Sequence, residues 1–585
     1  MKKNNYQNWS KEDLVKEVET LKKRKKYGLV WEEKKEDVVE QCKKELPVLK
    51  EVKEKEIITD KDKPVNLLIE GDNYHALSVL NYTHKGRVDF IYLDPPYNTG
   101  ARDWKYDNNY VDSEDGFRHS KWLSFIAKRL SLAKSLLKPD GIITITIDDY
   151  EIGPLRLLMD EIYGEENRLG LITIVHNPRG RSDDLYFATS HEYALVYGRN
   201  FSKTSTYKLK LTEEQAENFL LEDDKSRYRL LPLKRTGSNS TPKERPNLYF
   251  SIYYSSKNND ISLDKKEGYA EIVPLDTAGN KRVWRWGKKA ILERKDSEIV
   301  VRKGKDGFYS VFAKDRIKEG RKPKTVWVDP KYDASSHGTM LIQKILGERK
   351  IFDYPKSIYA VKDLLEVGLK EKKQALVLDF FAGSGTTGHA ILELNKEDSG
   401  NRKFILCTNN ELNGLEKELR KKRLSENEIK KYGICQKVTY PRLEKVIVGY
   451  KKNGNGEKVE GLGGNLKYFK TEFIDFDQPT DKNKMKLTRG VVEMLCIKQG
   501  TFEKVSDQKD FKIFKDTTHY TGIIFNQLAI SEFKKAIQGI KGKFSIYIFS
   551  LSDETFDEEF ADVKQKVKLS PIPEAILRIY RRIFK

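Results

Sequence analysis

The apolar run Phe90-Ile91-Tyr92-Leu93 ends on Asp94-Pro95-Pro96-Tyr97. Two consecutive prolines cannot continue a central strand, because neither has the N–H that the ladder needs. The chain must therefore leave its sheet at Asp94. The flanking pattern says what kind of sheet this is. VNLLIEGD (65–72), VDFIYLDPPY (88–97) and GIITITIDD (141–149) read as buried strands. Between the last two, Trp122, Phe125, Ile126, Leu130, Ala133, Leu136 and Leu137 recur at helical spacing. Strand, helix, strand implies a parallel α/β sheet, and such sheets bind ligands where their strands end. LITIVHN and HEYALVYG follow as further strands, so Asp94 to Tyr97 sits where a site belongs.

The tetrapeptide suits one kind of chemistry. The prolines stiffen the loop and expose the Pro95 carbonyl, and Asp94 offers a second acceptor. The exocyclic amine of a nucleobase is a poor nucleophile, since its lone pair is delocalised into the ring. Two acceptors on its N–H bonds draw the nitrogen toward tetrahedral geometry. A buried carboxylate then stabilises the positive charge that develops on it. Tyr97 supplies a face on which the base can stack. A Pro-Pro turn with an incidental capping Asp is the plain structural alternative.

A second motif lies far downstream. Gly383-Ser384-Gly385-Thr386-Thr387-Gly388 follows the apolar strand ALVLD and opens a helix, and Glu411 closes the next strand. This is formally GxGxxG, which suits a dinucleotide as well as other adenosine cofactors. Asp379 before the loop favours S-adenosylmethionine, because a carboxylate there holds an ammonium and repels a pyrophosphate. Phe381 adds an apolar contact. No GxxxxGK[ST] loop occurs, which excludes an ATP motor of that type.

The formal charge of +20 points to a polyanionic partner, with nucleic acid first, although lysine runs also serve solubility. The four cysteines, Cys42, Cys407, Cys435 and Cys496, form no CxxC pair and no metal pattern, so no metal site is expected. Neither a signal peptide nor a run of about 18 apolar residues is read, which leads to an expectation of a cytoplasmic protein off the membrane.

Together these motifs resemble the amino-methyltransferases of DNA modification. DPPY matches the catalytic motif, and Asp379 to Gly385 matches the cofactor motif. Aspartate in first place is similar to the adenine-N6 branch, whereas the cytosine-N4 branch usually has serine there. The catalytic motif precedes the cofactor motif by 285 residues. That order resembles the β class, which is often dimeric. Its sheet is circularly permuted, with a target-recognition domain between the halves. DPPYNTG, the WxxFxxxRL helix from Trp122, IDDYE from Ile147 and FDYPKS (352–357) resemble the Mod subunits of type III restriction–modification systems.

The resemblance implies roles for further residues. Asp72 would contact the cofactor adenine and Glu411 its ribose. Gly383, Ser384, Gly385 and Thr386 would line the cofactor loop. Lys356 and Ser357 would close over the methionine end. Phe187, or equally Tyr186, would pack against a flipped base. For Asp72 a helix cap, and for Lys356 a solvated lysine, are the ordinary readings. In the basic, aromatic middle stretch, Lys234, Arg235, Asn239, Lys243 and Arg245 are candidate DNA contacts; Asn247 could also read adenine. Trp284 and Trp286 are as readily core.

The expected architecture is a doubly wound, mostly parallel, Rossmann-like methyltransferase sheet, circularly permuted. Residues 1–60 read as a charged helical segment, with Ser10 and Asp13 as a capping box. Residues 61–200 form the catalytic half, 201–345 the recognition domain and 346–465 the cofactor half. Residues 466–585 form a small mixed domain for oligomerisation or partner binding. The expected function is N6 methylation of a flipped adenine in double-stranded DNA, as a homodimer, with a restriction helicase–nuclease subunit as a further partner. A specificity subunit for such a motor, or a cytosine-N4 enzyme, are the alternatives.

Overall fold

The computed structural model describes residues 10–12, 14–15, 31–106, 109–182, 184–412, 415–451, 456–476, 480–551, 554 and 556–584. Asp13 of the expected capping box lies outside them. The described chain divides into two compact units, 1–207 with 324–585, and 208–323.

The larger unit is built on an eleven-stranded sheet. Its strands, in chain order, are β1 (Glu45–Glu51), β2 (Ile57–Ile58), β3 (Val65–Glu70), β4 (Val88–Leu93), β5 (Leu137–Ile147) and β6 (Arg168–Val175). β7 (His191–Gly198), β8 (Val326–Trp327), β9 (Leu376–Asp379), β10 (Lys403–Thr408) and β11 (Asn465–Asp475) follow. Across the sheet they run β1-β11-β3-β10-β9-β4-β5-β7-β6-β8, with β2 alongside β11. From β11 to β5 all neighbours are parallel, and β7 is antiparallel to both β5 and β6. All six residues of β4 are buried, as a strand covered on both faces requires.

The helices that matter for the site are α1 (Asn73–Thr83), α2 (Arg118–Leu136), α3 (Ile358–Leu369), α4 (Thr386–Asp398) and α5 (Tyr440–Val448). From β9 the chain passes through α4 to β10 on one side. From β4 it passes through α2 to β5 on the other. The winding thus reverses between β9 and β4, and a crevice opens outside their carboxyl ends. The halves are in permuted order: the strand ending at Asp379 comes late in sequence and sits at the centre in space.

Three segments differ from expectation. Residues 45–51 and 57–58 are strands of the main sheet rather than part of a charged helical arm. Leu46, Val48 and Leu49 are buried there, and Pro47 is tolerated because β1 is an edge strand. β11 carries the main sheet through to Asp475, past the expected boundary at 465. Its register places Asn465 to Lys470 beside β3 and Glu472 to Asp475 against β1. The compact inserted unit, 208–323, is narrower than 201–345, because Val326 and Trp327 already pair with β6.

Residues 466–585 do include a separate five-stranded sheet, whose central strand is His519–Ile524. Yet its residues Phe514, Ile523, Tyr547 and Ile572 pack into the same core as β3 and α1. The final helix, Glu574–Ile583, is tied in by the Tyr580 hydroxyl, which donates to the Pro47 carbonyl at 2.6 Å. The four cysteines are buried and unpaired. Among the described residues no helix is long and apolar enough to cross a membrane, and no cluster of His, Cys, Asp and Glu could hold a metal ion.

Candidate active site

The register of β9 and β4 aligns Leu378 with Ile91. Asp379 is therefore level with Tyr92, and Asp94 lies two residues further out on the neighbouring strand. At strand spacing this places their backbones about 8 Å apart on one rim.

The loop after β4 is held from several directions. The Trp122 indole N–H, on α2, donates to the Pro96 carbonyl at 2.7 Å. Asn98 adopts φ +57°. Its amide donates to the buried Glu151, and its carbonyl accepts from Trp104 Nε1 at 2.9 Å. With Pro96 already bonded, Pro95 is the loop's remaining proline carbonyl. Thr146 on β5 donates to Asp94 Oδ1 at 2.9 Å.

Two charged residues complete this group. Lys356 Nζ lies 3.2 Å from Asp94 Oδ1 and 2.6 Å from Glu192 Oε2, and it sits 4.3 Å from the centre of the Tyr97 ring. The Tyr97 hydroxyl donates to the same Glu192 oxygen at 2.8 Å. Burial works against the Lys356 charge, but Asp94 and Glu192 more than offset it and hold its pKa above the ordinary value. Burial pushes the other way on Glu192; Lys356 overcomes it and keeps that carboxyl below its usual range. For Asp94 burial prevails over Lys356, and its pKa is raised. Lys356 thus pairs with Asp94 and Glu192 and is not a solvated lysine.

The glycine loop departs from β9 beside this group. Asp379 is buried, and both its oxygens accept: Oδ1 from the Phe381 N–H at 2.9 Å, Oδ2 from the Thr387 hydroxyl at 2.6 Å. Burial pushes its pKa up to about 7. Gly383 and Gly385 hold φ of +47° and +78°, a region closed to most side chains. A Cβ on Gly383 would come within 3.2 Å of Phe352. The Ser384 and Thr386 hydroxyls turn inward to the fully buried Arg442 of α5, at 3.1 and 2.9 Å from its Nη1. Thr439 donates to the Gly383 carbonyl at 2.6 Å. These contacts leave the loop's backbone as its ligand-facing surface. A buried carboxylate beside a side-chain-free turn fits an amino acid ammonium and an adenosine, which are the parts of S-adenosylmethionine.

The other expected residues fall as follows. Asp72 caps α1, accepting from the Tyr74 N–H at 2.7 Å, and stands 3.4 Å from the Arg129 guanidinium. Glu411 follows β10, accepts from Asn409 at 2.7 Å, and has a pKa raised by burial. β3, β10, β9 and β4 are consecutive in the sheet, so Asp72, Glu411, Asp379 and Asp94 share a rim. The Ser357 hydroxyl is turned away, donating to the Lys331 carbonyl at 2.8 Å. Phe187 is 89% exposed, as are Tyr186 (86%) and Leu185 (83%), at the tip between β6 and β7. Phe381 is partly buried against Phe125 and Phe380.

In the 208–323 unit, Lys234 and Arg235 are half-buried, and Lys234 Nζ donates to the Leu275 carbonyl. Asn239, Lys243, Arg245 and Asn247 are exposed on one loop. Trp284 is core, its indole donating to the Phe250 carbonyl at 2.7 Å. Sequence reasoning missed Glu192, Arg442 and Glu151. Each is a buried charged residue, and for Glu192 the signal was present: one carboxylate at the head of the apolar run AlaLeuValTyr in HEYALVYG.

The comparisons with known proteins agree with this geometry. The DNA methylase family model matches residues 88–426. The type III restriction-modification enzyme EcoPI Mod subunit of Escherichia phage P1 is 35% identical over 379 residues, covering 59% of this chain and 58% of that one. The type II methyltransferase M.KpnI of Klebsiella pneumoniae is 35% identical over 353 residues, covering 58% and 79%. A probable HindVI Mod subunit of Haemophilus influenzae is 25% identical over 541 residues, covering 85% and 65%. The chain thus spans little more than half the length of the EcoPI relative. With more than half of its residues matched by the family model, the chain belongs to the DNA methylase family.

Proposed function

We propose that the protein methylates N6 of an adenine flipped out of double-stranded DNA, with S-adenosylmethionine as methyl donor. The observation that carries this reading is the placement of Asp94 and Asp379 on one rim, at the point where the sheet's winding reverses. A base reaches such a pocket only after leaving the duplex. Tyr97 offers its ring to the base. Asp94 and the Pro95 carbonyl accept the two N–H bonds of the amine and turn the nitrogen lone pair outward. Bound at Asp379 and the glycine loop, the cofactor supplies an electrophilic methyl group. As N6 forms its new bond it becomes positive, and the Asp94 carboxylate is already fixed to stabilise that charge. The same carboxylate, its pKa raised by burial, takes the proton that N6 then gives up.

Asp72 and Glu411 are assigned to the adenosine of the cofactor, and the exposed Phe187 and Tyr186 to the nucleic acid near the flipped base. The 208–323 unit is assigned to target recognition. It holds 27 Lys and Arg against 18 Asp and Glu, a surplus suited to phosphate contacts. Asn239, Lys243 and Arg245 are its foremost exposed candidates. The names of the relatives support a place in a restriction–modification system with a restriction subunit as partner; the homodimer is proposed on the β-class order of the motifs alone.

The test is expression in a methylation-free host, followed by genome-wide mapping of modified bases. N6-methyladenine at a single motif is the expected result. N4-methylcytosine would overturn the choice of base, and an unmodified genome would overturn the activity.

A further inference from the structure

The Lys356 ammonium fulfils both requirements that the target amine must meet. It is a nitrogen donor within 3.2 Å of Asp94 Oδ1, and it donates to the Tyr97 hydroxyl at the edge of the ring on which the base would stack, 4.3 Å from the ring centre. The same ammonium makes its shorter contact, 2.6 Å, with Glu192 Oε2 on β7. Glu192 is 2% exposed and has no role in the reaction described above. We propose that Lys356 is a place-holder for the target amine, and that Glu192 is the carboxylate onto which it withdraws when the base enters. The inference rests on the adenine reading of the site.

The charges explain why the site needs both residues. Glu192 is close enough to Asp94 to disfavour its ionisation. One lysine between them neutralises half of that charge and leaves the group at net minus one. Without Glu192, entry of the amine would strip Lys356 of its last carboxylate inside the protein, which is costly for a buried ion. With Glu192, entry exchanges one donor on Asp94 for another while the Lys356–Glu192 pair persists. The Tyr97 hydroxyl, bonded to the same Glu192 oxygen, keeps that carboxylate aimed at the pocket. Glu192 is thus a positioning residue, acting through Lys356.

The test uses the intact chain and its mapped target duplex, with 2-aminopurine beside the target adenine, whose N6 amine is kept, as a fluorescent reporter of base entry. Glu192→Gln should raise KM for DNA at least tenfold and reduce the 2-aminopurine signal, because Lys356 then stays on Asp94. Adding Lys356→Met to that variant should return KM to within about threefold of the unaltered protein, without restoring kcat. Lys356→Met alone should raise the 2-aminopurine signal at least twofold. A role for Glu192 in folding alone would not be rescued by removing a second residue. A double variant no better than Glu192→Gln, or a signal unchanged in Lys356→Met, overturns the proposal. An unaltered protein that methylates no adenine would instead overturn the reading on which it rests.

Discussion

The indole N–H of Trp122 donates to the carbonyl of Pro96 at 2.7 Å. A helix residue 26 positions downstream thereby fixes the loop that carries Asp94 and Tyr97. The bond also uses up one of the two proline carbonyls, so that only Pro95 is left to face a substrate. Trp122 is fully buried, which gives that bond its leverage, since an unpaired polar group there has no water to turn to.

Trp122→Phe keeps the apolar bulk and deletes the donor. The loss expected is roughly 1 kcal/mol of stability, the net worth of one hydrogen bond to a half-buried carbonyl. Turnover should fall by more than cofactor affinity, because the Pro96 carbonyl belongs to the catalytic loop. Thermal melting, single-turnover rates and cofactor titration separate the three quantities. A variant with normal turnover would show that the prolines alone fix the loop.

Under the proposed mechanism, Asp94→Ala removes an acceptor and the charge that stabilises the transition state. A loss of about 10²–10³ in kcat is expected, by analogy with deletion of other pre-aligned electrostatic groups. DNA affinity should change little, since the phosphate contacts are assigned to other residues. Gel-shift titration beside single-turnover methylation reads both. Near-normal methylation would remove Asp94 from the mechanism.

Asp379 carries a pH dependence whose sign can be worked out. Burial raises its pKa to about 7, above the value near 4 of an unfolded aspartate. Below pH 7 the free protein holds this proton, and an ammonium ligand must displace it. Cofactor affinity should therefore rise with pH, by at most about tenfold per unit, and level off above pH 7. The folding contribution runs the opposite way: it is fully present below about pH 4 and is lost as the pH rises through 7. Calorimetric titration from pH 5.5 to 8.5 tests this, with Asp379→Asn as control. An affinity independent of pH in that range would contradict the ammonium assignment.

The parallel strands were legible because buried β-strands carry long apolar runs, and the two motifs because chemistry needs particular residues at strand ends. Other parts were hidden for physical reasons. β1 contains four buried residues, Leu46 to Leu49, between lysines and glutamates, and in a charged segment so short a run has no distinctive period. Lys356 was read from its neighbours in sequence, FDYPKS, whereas its partners are 262 and 164 positions away. Arg442 was passed over because nothing in its basic surroundings marks it as buried, and the role of Glu192 because its partners lie far away in sequence. The third glycine of the loop, Gly388, was read as part of a cofactor motif, but its neighbours give it a packing role.

Gly388→Ala sets two effects against each other. Alanine favours a helix over glycine by about 0.5–1 kcal/mol. The added Cβ would lie 2.8 Å from Leu443 and 3.0 Å from Leu406, and overpacking of this kind costs about 1–3 kcal/mol. The second effect should win, lowering the melting temperature. A higher melting temperature would mean that the two leucines move aside freely.

The 208–323 unit can be removed cleanly, because its ends lie side by side. Leu209 N–H donates to the Arg321 carbonyl at 3.0 Å, and Arg321 N–H donates back to the Leu209 carbonyl at 2.8 Å. The unit also has a core of its own, with Leu233, Ile252, Trp284 and Ile291 buried together. A few glycines and serines in place of residues 210–320 would span the gap without stretching the rest of the chain. The shortened protein should bind S-adenosylmethionine within about threefold of the intact one, since Asp379 and the glycine loop lie in the other unit. It should lose sequence choice, and its DNA affinity should depend less steeply on salt, as expected when phosphate contacts are deleted. Retention of the same methylated motif by a folded, shortened protein would place recognition outside residues 208–323.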